Sequence, residues 1–194
     1  MALVDAEKGE IHSKLVYYGP AAGGKTSNLQ HIHWDLPATA RGDLLSIATE
    51  TERTLFFRCQ PPGQPPVNGL RVFFHLYAVP GCMLRREARH DVLRGADGVV
   101  FVADSQSVKL QLSLELLREL MMSLVLHGKD PRRLPIVLQY NKRDVPKAVP
   151  VERMDHYLNR SGWPRFLSSA AEGYGIMETF DAIRALVTTQ LERR

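Results

Sequence analysis

The chain has little cysteine and no long apolar run. Only Cys59 and Cys82 occur among its 194 residues. Two thiols are too few for a disulfide scaffold in a chain this size, so a reducing compartment is expected. No stretch approaches the roughly 18 consecutive apolar residues that a membrane-spanning helix needs, so no membrane insertion is expected. Met1-Ala2-Leu3-Val4-Asp5 carries neither the regions of a secretory leader nor a glycine for myristoylation, and Leu191-Glu192-Arg193-Arg194 offers no prenylation cysteine. The expectation is a cytoplasmic, unanchored protein. A dense Lys/Arg stripe is also missing, and the formal net charge is only +4. Nucleic acid is therefore not an expected partner, while an acidic protein is permitted.

What is present reads as one α/β domain over 1–194. Hydrophobic residues make up 44% of the chain and charged residues 24%, an ordinary globular composition. Ile11 to Tyr18 is β-rich and leads into a glycine-rich turn, after which a helix is expected from Lys25 to about Trp34. The stretch from Asp35 to Glu52 is polar and reads as irregular. Thr54–Cys59 and Leu70–Val79 read as strands, separated by a Pro- and Gly-rich turn. Gly98–Ala103 and Leu134–Leu138 are continuous apolar runs of strand length, as expected for strands covered on both faces. Leu110, Leu114, Leu117, Met121, Leu124 and Val125 recur at helical spacing, and Met121-Met122 read as core. Further helices are expected over Val151–Asn159 and Ile176–Leu191. This alternation predicts a mainly parallel central sheet with one antiparallel edge and helices on both faces.

Gly19-Pro20-Ala21-Ala22-Gly23-Gly24-Lys25-Thr26 fits G-x-x-x-x-G-K-[ST], and it lies between a strand and a helix start. Gly19, Ala22, Gly23 and Gly24 would turn consecutive amides toward phosphate oxygens, and the helix N-terminus adds partial positive charge. Lys25 would reach the β- and γ-phosphates, and the Thr26 hydroxyl would ligate Mg²⁺. Ser27 is placed for the α-phosphate, with helix-face solvation as the alternative. Roughly 115 residues further on, just beyond the second apolar run, comes Asn141-Lys142-Arg143-Asp144. The Asp144 carboxylate could accept both the ring N–H and the exocyclic amino hydrogens of guanine, an edge that adenine lacks. Lys142 could lay its stem over the base, and Asn141 could tie this loop to the phosphate loop. Ser169-Ala170-Ala171 could present a backbone N–H to the guanine oxygen.

With these elements in order, the chain resembles the Ras-like small GTPases, a P-loop NTPase fold. It resembles most the bacterial MglA family of gliding-motility and polarity GTPases. That closer likeness also rests on Val16-Tyr17-Tyr18-Gly19-Pro20, Ala48-Thr49-Glu50 with Glu52-Arg53-Thr54-Leu55-Phe56-Phe57, Phe74-His75-Leu76-Tyr77, and Asp97 through Ser105. The resemblance implies a switch binding GTP or GDP with Mg²⁺, acting through polarity effectors, recruited to a cell pole, and turned off with help from a roadblock-type, MglB-like partner. It implies that Arg53 acts as a built-in finger on the transferring phosphate, an effect worth roughly 10³ to 10⁵ in rate. It also implies that Thr54 belongs to the first switch and approaches Mg²⁺.

Two positions depart from the family's Thr-x-Pro-Gly-Gln: the chain reads Ala78-Val79-Pro80-Gly81-Cys82. Gly81 still offers an N–H to the γ-phosphate. Cys82 lacks the acceptor-plus-donor amide that would hold an attacking water, and Ala78 supplies no oxygen toward magnesium. Slow or partner-dependent hydrolysis is therefore expected. A non-hydrolysing interaction module is the rival reading, and an adenine-specific P-loop enzyme a third that requires Asn141–Asp144 to be accidental. Arg85, Arg86, Arg89 and Arg94 read as a solvated helix face, or as a receiver for an acidic partner. His31 and His33, two apart on a helix, point to different faces and suggest no zinc site.

Overall fold

The computed structural model describes residues 2–49, 52–79 and 86–193, with 47–49, 52–54 and 86–88 described by backbone alone. In chain order the elements are β1 (Leu3–Asp5), β2 (Glu10–Tyr18), α1 (Lys25–Asp35), β3 (Leu45–Thr49), β4 (Glu52–Cys59), β5 (Arg71–Ala78) and α2 (Arg86–Leu93). There follow β6 (Gly98–Asp104), α3 (Leu110–Leu126), β7 (Ile136–Asn141), α4 (Val151–Leu158), β8 (Arg165–Leu167) and α5 (Ile176–Glu192).

The sheet runs β3-β4-β5-β2-β6-β7-β8. The span from β5 to β8 is parallel, and β4 and β3 extend it as an antiparallel edge. Every residue of β6 and β7 is buried, the signature of central strands covered on both faces. One departure from the sequence reading lies in the 35–52 stretch, where Leu45–Thr49 forms β3 against β4, from Leu45 opposite Phe56 to Thr49 opposite Glu52. Pairing with β4, more than local propensity, makes this segment a strand. The short β1 and β8 carry too few residues for any alternation to register. β1 lies antiparallel to Glu10–His12 of β2, below the point where β6 joins at Leu15.

Alternation along β2 divides the core into two layers. Leu15 and Tyr17 face α1 and α5, packing with Leu29, Ile32, Phe180, Ile183 and Val187. Val16 and Tyr18 face the other layer, with Leu93, Leu116, Leu120, Leu124, Met154 and Leu158. The buried face of α3 is therefore Leu116, Leu117, Leu120 and Leu124, and the core expectation for Met122 is corrected: it is 57% exposed, and Val125 is 61% exposed. About 100° per residue separates their positions from the buried stripe. The solvated reading of Arg89 is likewise corrected, since it is only 2% exposed. Cys59 ends β4 inside the first layer, and burial pushes its thiol up to about 12. Among the described residues no helix is long and apolar enough to cross a membrane.

One sheet surface, formed by β2, β4 and β5, carries a basic and aromatic cluster. His12 Nδ1 lies 3.0 Å from His75 Nε2, and His12 Nε2 lies 3.2 Å from a Glu10 carboxylate oxygen. The Arg58 guanidinium sits over Phe73, and Phe56 stacks on Tyr77. Burial first, then the nearby His12 and Arg58, lowers His75 to about 4 from an ordinary 6.5. Between these two values the unfolded chain binds a proton at this residue that the folded chain refuses. Its stabilising contribution is thus present above pH 6.5 and is lost as the pH falls toward 4. The urea midpoint of His75→Gln is expected to depend less steeply on pH than that of the parent protein across this window. Parallel curves for the two proteins would contradict the assignment.

Candidate functional site

At the carboxyl ends of β2, β7 and β8, three loops meet. The first leaves β2 at Gly19, whose φ of 144° belongs to glycine and whose missing Cβ would stand 2.1 Å from the Val102 carbonyl oxygen. The Gly23 amide donates to the Pro20 carbonyl at 3.1 Å, closing the turn. Gly24 then caps α1 with φ of 100°, and a side chain there would collide with the Asn141 amide nitrogen. No side chain caps α1 and its first turn holds no acidic residue. The opening amides of this helix and its positive dipole end are thus left for an anion. Lys25 is 6% exposed, and its ammonium donates to the Gly19 and Pro20 carbonyls at 2.9 and 2.7 Å. Ala22 (φ 55°) and Thr26 are exposed, and Ser27 is half-buried.

The second loop begins at Asn141, which is 1% exposed and serves three groups with one amide. Its nitrogen donates to the Gly23 carbonyl at 2.8 Å; its oxygen accepts from the Ser168 hydroxyl at 3.1 Å and the Ala170 amide at 2.9 Å. Lys142 takes φ of 64°, and its ammonium lies 2.7 Å from an Asp104 carboxylate oxygen at the end of β6. Asp104 also accepts from the Gln106 amide at 3.0 Å. Arg143 ties the loop down, donating through its amide to the Ser168 carbonyl and through its side chain to the Val149 carbonyl. Asp144 is exposed and has no hydrogen bond or ion pair among the described residues.

In the third loop, the Ser169 amide donates to the Tyr174 carbonyl at 3.2 Å, and the Ala170 amide is held by Asn141. Of the three amides singled out in the sequence, that of Ala171 alone has no partner among the described residues, and Ala171 is exposed. Among these three, the Ala171 amide is thus the one left open to a further acceptor. Behind the loops, the Gln139 amide donates to Asn28 Oδ1 at 2.8 Å and to the Thr179 hydroxyl at 3.1 Å. Asn28 in turn donates to the Gly24 carbonyl at 2.9 Å. Buried glutamine and asparagine therefore lock α1, β7 and α5 together beneath the turn. Sequence inspection did not single out Gln139, Asn28 or Asp104. Asp104, a carboxylate directly after an apolar strand, carried the one signal that could have revealed it.

Arg53 and Thr54 lie in β4 opposite Ala48 and Ile47, with their side chains outside the described residues. Gly81, Cys82 and Arg85 lie outside them altogether. Ala78, the last residue of β5, is 2% exposed.

No family model matches the chain. It is 42% identical over 193 residues to the mutual gliding-motility protein MglA of Myxococcus xanthus, covering 100% of this chain and 99% of that protein. A more distant similarity connects it with the ADP-ribosylation factor-like protein 6 of Caenorhabditis elegans, 31% identical over 62% of this chain and 65% of the relative. The corresponding protein of Caenorhabditis briggsae is 30% identical over the same shares.

Because Asn141 serves three buried partners, its removal leaves them unsatisfied together. Asn141→Ala is expected to lose roughly 2–4 kcal/mol of unfolding free energy. Hydrogen exchange at Ala170 should quicken selectively. A urea midpoint equal to that of the parent, with Ala170 still protected, would contradict this role.

Proposed function

The chain belongs to the MglA family of Ras-like small GTPases, and from this premise we propose that it binds GTP or GDP with Mg²⁺ and works as a slowly hydrolysing polarity or motility switch. The observation that carries the reading is the meeting, through Asn141, of an uncapped helix N-terminus with the loops bearing Asp144 and Ala171. Phosphates fit the amides of Gly19, Ala22, Gly23 and Gly24 and the ammonium of Lys25, with Ser27 toward the α-phosphate. The exposed Asp144 carboxylate suits the paired N–H donors of guanine, and the Ala171 amide its oxygen. Ser169 and Ala170 shape that loop, and Lys142, steadied by Asp104, flanks the base. A magnesium ion suits the Thr26 hydroxyl and the phosphate oxygens, with Thr54 from the first switch; when bound it would neutralise charge on the transferring phosphate.

Hydrolysis in this reading rests on Arg53 as the built-in cation and on Gly81 as an amide donor to the γ-phosphate. Cys82 cannot hold water as an amide side chain does, so the switch would be slow alone and would depend on a roadblock-type, MglB-like partner for turnover. Effectors would read the GTP state in the cytoplasm or at a cell pole. A non-hydrolysing interaction module is the second reading, favoured by Cys82 and by Ala78, which is buried and bears no oxygen.

Titration with labelled GDP and GTP, with and without magnesium, tests the binding claim, and ATP should not compete. Asp144→Asn is expected to weaken GDP by roughly 10²- to 10⁴-fold, the worth of two charge-assisted hydrogen bonds, and to favour xanthosine diphosphate. Unchanged GDP affinity would remove Asp144 from the base site. Single-turnover GTP cleavage should be slow in the parent and faster in Cys82→Gln. Equal rates in the two proteins would sink the proposed role of position 82.

A further inference from the structure

Arg89, Glu119 and Tyr18 form a buried chain of contacts outside the site described above. From α2, Arg89 donates through Nε to Glu119 Oε1 at 2.9 Å and through Nη2 to Oε2 at 3.0 Å, a two-pronged pair. The Tyr18 hydroxyl donates to the same Oε1 at 2.7 Å. Tyr18 is 0% exposed and Arg89 2%. Behind this group, the Ser123 hydroxyl donates to the Glu119 carbonyl at 2.7 Å and lies 3.2 Å from His90 Nε2. His127 Nε2 lies 2.7 Å from the His90 carbonyl oxygen, a second tie between α2 and the end of α3.

The two ends of this chain are placed where the proposed switch changes state. Arg89 stands in the first turn of α2, directly after residues 80–85. Tyr18 is the last residue of β2 and precedes Gly19, where the phosphate loop begins. Its ring packs beside Phe101 of β6, and its hydroxyl reaches α3. A buried ion pair adds little net stability over apolar side chains of equal volume, yet it tolerates few alternative geometries. Moving α2 off α3 would take the two-pronged guanidinium away from a Glu119 side chain that is only 14% exposed.

Resting on the proposed switch reading, we propose that Arg89, Glu119 and Tyr18 are positioning residues that couple the placement of α2 to the shape of the phosphate loop. When α2 docks, the carboxylate is fully paired and holds the tyrosine, which fixes the end of β2. When α2 leaves, that restraint on the loop is released.

Two variants break the coupling without stranding a charge. Tyr18→Phe removes one hydroxyl, and the double variant Arg89→Met with Glu119→Met replaces the pair by apolar side chains of similar length. Amide hydrogen exchange of the nucleotide-free protein is the first readout. Both variants should speed exchange over residues 19–24, and unchanged exchange there, with cooperative unfolding retained, would overturn the coupling. Dissociation of fluorescent GDP is the second. Each variant should release it about three- to tenfold faster, equivalent to one hydrogen bond. Preference for GDP over ATP should not move, and combining the changes should add nothing further, since both act on one path. Parent-like release from both variants, or strictly additive effects, would also overturn it. A parent protein that holds no guanine nucleotide would instead refute the switch reading, while the exchange measurement would still judge the coupling.

Discussion

One carboxamide holds the site together. Asn141 spends both halves of its side chain on backbone and hydroxyl groups from two other loops, and neither loop has regular structure to keep its shape. Without that bridge, the turn after β2 and the loop after β8 would each carry a buried polar group with no counterpart, a state folded proteins avoid. The bridge also explains why Gly24 tolerates no side chain: the space a Cβ would take is already occupied by the asparagine nitrogen. The turn after β2 and the loop after β8 are thus adjusted to each other by the protein's own groups, and in the proposed function such preorganisation would reduce the ordering cost of binding.

The sheet makes this convergence possible. Parallel strands end on the same side, so the loops after β2, β7 and β8 must leave from one edge, the usual place for ligands in open α/β sheets. Beneath that edge, Gln139, Asn28 and Thr179 pin α1 to β7 and α5 through a buried polar network. Such a network fixes a single register where apolar contacts alone would allow sliding. The antiparallel β3–β4 edge lies at the far side of β5, and it carries Arg53 and Thr54 on a hairpin. These two residues therefore lie across β5 from the strands that carry the three loops.

Much of this was legible in the sequence, for identifiable reasons. The apolar runs of β6 and β7 and the turn from Gly19 to Thr26 announce themselves, because central strands need continuous apolar residues and tight anion-facing turns need glycine. The β3 strand was hidden, since an edge strand owes its conformation to its neighbour. Met122 was read as core because leucine-rich helices present apolar residues on several faces, and spacing does not say which face meets the sheet. Arg89 shows the converse: a charged residue in a basic run reads as surface until Glu119, distant in sequence, is found beside it. Which amide of Ser169-Ala170-Ala171 is left without a protein partner was not legible in the sequence, because that requires the partners of every amide to be known.

The depth of Cys59 has a practical corollary. With its sulfur inside the first core layer and its proton tightly held, this thiol resists alkylation at neutral pH. The chain's other cysteine, Cys82, stands in the segment that sequence assigns to the second switch. Any label that a maleimide installs on a thiol of this chain at neutral pH is therefore expected to report from position 82, with no engineered attachment point.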